Sequence, residues 1–281
     1  MDAVRRYTKP VLRRPRAIIA FEGWNDACEA ASGAAAYILG HYGVEEPFAS
    51  IEPEEFFDFQ EHRPTVHIDG GGTRQLSWPD TRFYAVSRPM ATNDLIIVIG
   101  EEPSFRWKTF ARHITKVLNE CDVEEVVLLG AFIGDVAHTQ PVPLAGVAVD
   151  PEIVPLWGLI PSTYEGPTGI VGVTMEACRE AGLRAVSVWA ATPHYLAANA
   201  NPKTMLALVK KTTELLELDV DPTKLAAIEA EFSSRVDEAI ATNGDLAEYI
   251  ETISAEGSGE IDPSRSGLLL NEIEEFLKDQ N

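Results

Sequence analysis

Residues 17–42 read AIIAFEGWNDACEAASGAAAYILGHY, and this stretch decides the class of fold. Its first part, Ala17–Phe21, is apolar without alternation, as in a strand that is buried on both faces. The alanine-rich continuation Asp26–Tyr42 has the composition of a helix. Similar buried strands are predicted at Leu95–Ile99, Val126–Leu129 and Ala185–Ala190. We therefore predict an α/β fold with a three-layer α/β/α core, in which helices cover both faces of a mostly parallel sheet.

Further helices are expected after the later strands. Ser104–Cys121 places apolar side chains at i, i+3 and i+4 spacing, which is typical of an amphipathic helix. Asn201–Pro202 is an N-cap followed by proline, so a helix should begin there and run through Leu216. The stretch Gly130–Gly169 holds six prolines and little periodicity, which indicates a long loop with a functional or interface role.

A hairpin insertion is predicted at Thr65–Arg88. Its two strands, Thr65–Asp69 and Arg82–Arg88, would flank a turn at Gly70–Gly72 and a polar excursion. Exposed aromatic side chains are typical of an interface, and three of them would leave the core here: Trp78, Phe83 and Tyr84.

The charge distribution marks a domain boundary near residue 218. Residues 219–281 carry 16 acidic and 4 basic side chains, against 28 acidic and 19 basic in residues 1–218. We expect residues 1–218 to form the α/β core and residues 219–281 to form a helical lid. Its amphipathic helices are predicted at Asp221–Ile240, Asp245–Ala255 and Leu269–Leu277.

Composition excludes several classes of function. A formal net charge of −21 repels nucleic-acid phosphates and anionic lipid, so neither is expected as a partner. The three cysteines have no metal or redox spacing, which is typical of buried thiols in a reducing cytoplasm. No cofactor and no metal are expected, because the chain has no HExxH, Walker or GxGxxG motif.

Polar residues follow the predicted strands. Ligands of open α/β sheets bind beyond the carboxyl ends of the strands, so these residues should meet in one pocket. The candidate ligand-binding residues after the four strands are Trp24, Asn25, Asp26, Glu101, Arg106, Asp135, His138, Thr139 and His194. We further expect that the lid helices lie across the mouth of this pocket.

The turn before the helix that ends at Ala181 adds Glu165, Gly166, Thr168 and Gly169. Its glycines and free N–H groups suit a small anionic ligand, whereas the plain alternative is a tight turn into a helix. Each strand-end residue also has a structural alternative. Asp26 fits a helix N-cap, and a lone histidine is more often a hydrogen-bonded structural residue. If the protein is an enzyme, Glu101 or His138 is the expected general base.

The chain resembles the bacterial branch of the proteasome assembly chaperone 2 family. The segments that carry the resemblance are FEGWNDACEAASGAA (Phe21–Ala35), EPEEFFDFQEHRPTV (Glu52–Val66), EEPSFRWKTF (Glu101–Phe110), LGAFIGDVAHTQPVPLAG (Leu129–Gly146), STYEGPTGIVGV (Ser162–Val173) and WAATPHY (Trp189–Tyr195). The resemblance implies a core like that of purine nucleoside phosphorylases, a homotrimer, a hairpin used in assembly, and C-terminal helices over a pocket. The chain ends Asp279-Gln280-Asn281, without the hydrophobic-Tyr-any ending of many proteasome binders.

Two functions remain open from the sequence. The first is an oligomeric binding or assembly protein with protein partners, which the resemblance favours. The alternative is a small-molecule hydrolase or phosphorylase-like enzyme that acts on an anionic substrate, since a fold does not fix a function. The nature of the pocket discriminates between them: an enclosed cavity with perturbed carboxylates favours catalysis, and a shallow apolar one favours a partner.

Overall fold

The computed structural model describes residues 3–197, 199–241, 248, 250 and 251. The strands are β1 (Val4–Arg6), β2 (Arg16–Glu22), β3 (Ala49–Ile51), β4 (Thr65–Ile68), β5 (Arg74–Ser77), β6 (Thr81–Val86), β7 (Leu95–Glu101), β8 (Glu125–Gly134), β9 (Leu144–Ala148), β10 (Ile160–Pro161) and β11 (Arg184–Pro193). The helices are α1 (Ala30–Tyr42), α2 (Trp107–Glu120), α3 (Ile153–Leu156), α4 (Ile170–Glu180), α5 (Pro202–Leu215) and α6 (Thr223–Ala241).

The main sheet has, in the described part of the chain, nine strands in the order β1-β3-β6-β7-β2-β8-β11-β9-β10. Its four central strands, β7, β2, β8 and β11, are all parallel. They are the four strands that the apolar runs predict, because a strand covered on both faces excludes polar residues. Antiparallel pairs of β1 with β3, β3 with β6, β6 with β7 and β9 with β11 extend the sheet on both sides.

Two apolar clusters cover the two faces of the sheet. Alternate side chains of a strand point to opposite faces. Ile18 therefore packs in the cluster beneath α1 and α5, whereas Ile19 packs in the cluster beneath α2 and α4. Helix α6 lies against α5 and adds Leu225 to the first cluster. The prediction of three α/β/α layers is confirmed.

The N-terminus of α5 forms as its sequence predicts. Pro202 is the first helical residue, and Asn201 Oδ1 accepts hydrogen bonds from the N–H groups of Lys203 and Thr204 at 3.1 and 3.2 Å. These contacts satisfy two of the N–H groups that have no partner within the helix.

The hairpin insertion is shorter than predicted. Strand β4 pairs with β5, and Val66 lies opposite Leu76. The predicted pairing of Thr65–Asp69 with Arg82–Arg88 is wrong, because β6 lies in the main sheet between β3 and β7. The turn closes locally instead, with Asp69 Oδ1 accepting hydrogen bonds from the N–H groups of Gly71 and Thr73.

The aromatic residues of this region divide accordingly. Phe83 and Tyr84 are buried in β6, one on each face of the sheet, so the expectation that they leave the core is wrong. Trp78 is exposed beyond the hairpin and packs edge-on against Phe59, with the ring centroids 4.8 Å apart.

The stretch Gly130–Gly169 is not the long loop that its prolines indicate. It holds the end of β8, the antiparallel strand β9, the short helix α3 and strand β10. Strand β9 has the sequence LAGVA, which is too short and too small in its side chains to give a periodic signal.

The C-terminal region begins with α6, which matches the first predicted lid helix and buries Leu225, Val236 and Ile240. The second predicted helix, Asp245–Ala255, lies outside the described residues apart from Glu248, Ile250 and Glu251, and Leu269–Leu277 lies entirely outside them. No helix in the described part of the chain combines the length and apolar character needed to cross a bilayer.

Candidate functional site

The N-terminus of α4 lies among the polar residues that follow β2 and β7. Asn25 Oδ1 accepts a hydrogen bond from the N–H of Val171 at 3.2 Å, and Glu102 Oε1 accepts one from the N–H of Ile170 at 2.8 Å. The other oxygen of Glu102 is 3.4 Å from the N–H of Trp24. A carboxylate of the chain itself therefore occupies the position at this N-terminus where a bound anion would be stabilised.

Gly169, the N-cap of α4, is required for this arrangement. A Cβ built on it would lie 2.7 Å from Asn25 Cγ and Nδ2, and closer still to Oδ1. Asn25 is buried, and its backbone carbonyl accepts a hydrogen bond from the N–H of Ala131 at 2.8 Å, which holds its backbone in place. The structure thus brings Asn25 and Gly169 together as a packed cap.

Asp26 holds the start of α1. Its carboxylate accepts hydrogen bonds from the N–H of Ala31 at 2.6 Å, from the N–H of Ser32 at 3.1 Å and from the Ser32 hydroxyl. Burial raises the pKa of Asp26 above its ordinary value, although the hydrogen bonds with Ser32 and Ala31 oppose that rise. The neighbouring Trp24 side chain, in contrast, is 64% exposed.

His138 lies in a cleft between the end of β11, the start of α5, and α6. Its Nδ1 is 2.8 Å from the Tyr195 hydroxyl, and its Nε2 is 3.0 Å from Asp237 Oδ1 on α6. The Tyr195 oxygen also accepts a hydrogen bond from the His138 backbone N–H at 2.6 Å. Both ring nitrogens of His138 therefore lie within hydrogen-bond distance of polar groups of the chain itself.

The cleft has a cavity volume of only about 10 Å³, which is about enough for one water molecule. Most of the side chains that line it are apolar, such as Val136, Leu196 and Phe232. Lys203 also lines it and donates to the carbonyl oxygen of His138. Of the predicted site residues, His138 is the one that lines this cleft.

His194 and Asp135 form a second imidazole–carboxylate pair. His194 Nδ1 is 3.3 Å from Asp135 Oδ1, and both side chains are largely buried. Burial lowers the pKa of His194, and the charge of Asp135 opposes this. The His194 ring packs edge-on against Tyr195, whose hydroxyl contacts His138, so the two pairs lie on either side of one buried tyrosine.

Glu101 and Arg106 make their contacts away from the His138 cleft. Glu101 Oε2 is 3.0 Å from His62 Nδ1, and Arg106 forms an ion pair with Glu55. Burial is the main cause that raises the pKa of Glu22. The negative charge of Glu101, its neighbour on the adjacent strand, raises the pKa of Glu22 further. No group of three or more His, Cys, Asp and Glu side chains among the described residues is placed to hold a metal ion.

Comparisons with known proteins agree with this fold. The PAC2 family model matches residues 20–240, which is most of the chain. The chain belongs to the PAC2 family. No match is found among functionally curated proteins.

Solved structures of two bacterial proteins are similar along nearly their whole length. A PAC2 family protein from Streptomyces avermitilis is 43% identical, with a TM-score of 0.78 over 84% of this chain and 99% of that one. A proteasome-assembly chaperone homologue from Mycobacterium tuberculosis is 38% identical, with a TM-score of 0.76 over 83% of this chain and 99% of that one. Pyrococcus furiosus PbaB, an archaeal proteasome activator, shares the fold at 16% identity, with a TM-score of 0.65 over 85% and 99% of the two chains.

The remaining predicted residues of this PAC2 family chain lie on its surface. Thr139, Glu165 and Thr168 are exposed. Gly166 lies beside Tyr164, whose hydroxyl donates to the Pro167 carbonyl at 3.0 Å. The predicted residues thus divide between the starts of α1 and α4, the two imidazole–carboxylate pairs, the Glu101–His62 and Arg106–Glu55 pairs, and exposed positions.

Several residues of these groups were missed by sequence reasoning. Tyr195 directly follows His194 in the TPHY segment, so its position could have been found from the sequence. His62 and Asp237 gave no such signal. Each of them lies far along the chain from the residue that it contacts, and only the packed structure brings the two together.

The exposed apolar side chains form a different kind of candidate site. On β4 and β5, Val66, Ile68 and Leu76 share one face of the hairpin, whereas His67 and Gln75 share the other. The three apolar residues are between 48% and 69% exposed. We call them the hairpin face. A two-stranded hairpin with an uncovered apolar face has little stability of its own in water.

Proposed function

We propose that this protein is an oligomeric binding or assembly protein of the proteasome-assembly-chaperone kind, a homotrimer that acts on protein partners in the cytoplasm. The observation that carries this proposal is the hairpin face. An apolar face of this kind, projecting from a well-packed core, gains stability when a second protein removes it from water.

The relatives support the same function. The Mycobacterium tuberculosis protein, which is 38% identical over 83% of this chain, is a proteasome-assembly chaperone homologue. We extend an assembly role of that kind to this chain, and the trimer follows the resemblance noted from its motifs. Residues 1–218 would serve as the core, and residues from 219 onward as a lid whose first helix, α6, holds His138 through Asp237.

The enzymatic alternative has weaker support. A general base needs a free lone pair directed at its substrate, but both ring nitrogens of His138 contact groups of the chain. Glu101 is likewise paired with His62. The α4 N–H groups suggested for a small anionic ligand are directed at Asn25 and Glu102. The cleft beside His138 is mostly apolar, and its cavity volume of about 10 Å³ is too small for a substrate.

The test changes the hairpin face alone. Leu76→Asp places a charge on that face, and Met90→Asp places the same charge on a fully exposed turn residue as the matched control. We expect the wild type and Met90→Asp to have about three times the 30.8 kDa protomer mass by light scattering. Leu76→Asp should have the mass of a monomer, with an unchanged circular dichroism spectrum.

A second measurement addresses the partner. Native mass spectrometry with separately purified proteasome α- and β-subunits should detect a complex, and particle assembly should be faster with the wild type than with Leu76→Asp. A wild type that is monomeric, or a Leu76→Asp variant that assembles normally, would contradict the role of the hairpin. Unchanged assembly kinetics would argue against the proteasome as the partner.

A further inference from the structure

Exposed aromatic side chains lie around the start of α4, at the carboxyl edge of the parallel strands. Trp24 follows β2, Phe105 follows β7, Phe132 lies near the end of β8, and Tyr164 precedes α4. Their exposed fractions are between 42% and 66%. We call these four residues the aromatic rim. Aromatic side chains that remain exposed on a well-packed protein are typical of a surface that binds another protein.

Two of the rim residues are placed side by side by one backbone contact. The N–H of Ala131 donates to the carbonyl oxygen of Asn25 at 2.8 Å. Trp24 directly precedes Asn25, and Phe132 directly follows Ala131. Trp24 and Phe132 therefore each lie one residue away from the same hydrogen bond.

The other two rim residues are placed by the start of α4. The Tyr164 hydroxyl donates to the carbonyl oxygen of Pro167, two residues before Gly169, the N-cap of α4. Phe105 comes three residues after Glu102, which accepts a hydrogen bond from the first N–H of α4. The four aromatic residues thus belong to one surface rather than to separate parts of the molecule.

The surroundings of the rim are acidic. The segments that contain the rim or contact it are residues 22–29, 52–63, 101–108, 132–139 and 162–169; residues 52–63 are included because the Phe105 N–H donates to the Phe56 carbonyl. Together these segments contain twelve acidic side chains and three lysines or arginines. One of these three, Arg106, is already paired with Glu55.

The carboxylates at this edge of the sheet also act on one another. Burial is the main cause that raises the pKa of Glu22, and the negative charges of Glu101, Asp26 and Glu29 raise that pKa further. A carboxyl group whose pKa is raised in this way has surroundings that disfavour its negative charge. A cationic side chain beside Glu22 would relieve that repulsion.

The chain's own basic segment does not supply this cation. Residues 5–16 contain six lysines and arginines and no acidic residue. Arg5 reaches the acidic segments only at Glu52, at 3.7 Å. The segment then runs to the opposite edge of the sheet, where Arg13 pairs at 3.3 Å with Asp94, the residue that precedes β7.

The rest of the chain is repelled by the rim. Residues 252–281 contain seven acidic and two basic side chains, and a second copy has the same net charge of −21. Like charges in contact are destabilising, so neither of these is a suitable occupant of the rim. Charge complementarity requires a different, basic protein.

We infer that the aromatic rim binds a basic segment of a partner protein, one that combines arginine or lysine with apolar side chains. A guanidinium or ammonium group binds the face of an exposed aromatic ring, and the surrounding carboxylates add to this attraction. The apolar side chains of the segment would remove the rest of the rim from water. The inference rests on the proposed function, because it names a surface and a chemistry for the protein partner.

The experiment uses a fluorescein-labelled peptide in which arginine and leucine alternate, with binding measured by fluorescence anisotropy at about 150 mM salt. Trp24→Ala and Phe132→Ala change the rim, whereas Leu156→Ala removes an 80% exposed apolar side chain of α3 as the control. We expect each rim variant to bind the peptide about 10-fold more weakly, and Leu156→Ala to bind it as the wild type does. Trp24→Phe keeps an aromatic ring and should lose less than about 3-fold.

A second pair of variants tests the charge. Glu22→Gln should weaken peptide binding by about 3-fold, whereas Glu46→Gln, which changes an exposed carboxylate outside the acidic segments, should leave binding unchanged. A peptide in which glutamate replaces arginine should not bind. Binding of that acidic peptide, or equal effects of Glu22→Gln and Glu46→Gln, would overturn the inference.

Equal binding by the wild type, Trp24→Ala and Phe132→Ala would mean that net charge alone attracts the peptide, and it would overturn the role of the rim. A wild type that does not bind the peptide would overturn it as well. Light scattering separates this result from the proposed function, because Trp24→Ala should have the same mass as the wild type. A monomeric wild type that still binds the peptide through Trp24 would contradict the trimer and support the rim.

Discussion

Gly169→Ala is expected to destabilise the protein through Asn25. The added Cβ would lie 2.7 Å from Asn25 Cγ and Nδ2, which is far inside van der Waals contact, so Asn25 must move. Its displacement removes the acceptor of the buried Val171 N–H. An unsatisfied buried donor costs about 1–3 kcal/mol, and overpacking of a filled site costs about 1–3 kcal/mol.

Together these effects give a loss of about 2–6 kcal/mol in the free energy of unfolding. The backbone adds no further cost, because Gly169 has a φ of −96°, which alanine adopts without strain. Such a loss lowers the Tm of a protein of this size by roughly 4–24 °C, at about 2–4 °C for each kcal/mol. Thermal unfolding by circular dichroism at one fixed protomer concentration measures it, because assembly makes the Tm depend on concentration.

Gly40→Ala is the matched control. Gly40 lies in α1 with no atom within 4 Å of the position of an added Cβ, so alanine there should stabilise the helix by up to about 1 kcal/mol. The decisive comparison uses Asn25→Ala. If the clash with Asn25 is the cause, Gly169→Ala should cost less than about 1 kcal/mol in that background. An equal cost in both backgrounds, or a Gly169→Ala variant as stable as the wild type, would refute this reasoning.

Three further predictions follow from buried titratable groups. Burial alone would raise the pKa of Asp94, but hydrogen bonds from Arg88 and Arg13 lower that pKa overall. Asp94→Asn should therefore lower the Tm at pH 7, and the difference in Tm from the wild type should shrink as the pH falls below about 4. Thermal melting of both proteins at pH 7 and below about pH 4 measures this. Burial raises the pKa of the Cys178 thiol to about 12, so mass spectrometry after iodoacetamide treatment at pH 8 should find Cys178 alkylated in denaturant and unmodified in the folded protein. Burial lowers the pKa of His194, so the folded state binds a proton there less readily than the unfolded state does. The stability of the wild type should therefore fall as the pH drops below about 6.5. The change in Tm between about pH 7.5 and 5.5 should be smaller for His194→Gln than for the wild type.

The layered core was predictable because its signal is local. A strand buried on both faces must be apolar at every position, as in Ile18–Ile19 and Val126–Val127, and no distant residue can change that requirement. The edges of the sheet were not predictable in the same way. β6 and β9 are identified by the strands that they pair with, and pairing partners far apart in sequence leave no periodic trace.

The hairpin shows which signal was available and which was overlooked. The turn consists of Asp69, three glycines and Thr73. In such a turn, one carboxylate can accept hydrogen bonds from two nearby N–H groups. A turn that closes at Thr73 requires the returning strand to begin at once, at Arg74. With that register, Val66, Ile68 and Leu76 lie on one face of the hairpin. If Thr65–Asp69 is instead paired with Arg82–Arg88, Leu76 falls outside the strands and the shared apolar face is not recognised.

The polar strand ends show why a site is harder to predict than a fold. A ligand pocket and a set of helices capped by the chain's own side chains have the same sequence pattern. Both place carboxylates and amides near helix N-termini. In this chain Asp26 accepts from the start of α1, and Asn25 and Glu102 accept from the start of α4. These three polar side chains are thereby engaged with the chain itself, whereas the apolar hairpin face remains exposed. The larger unmet free energy of burial lies with the hairpin face, and that is the physical reason to look for binding there rather than at these three polar side chains.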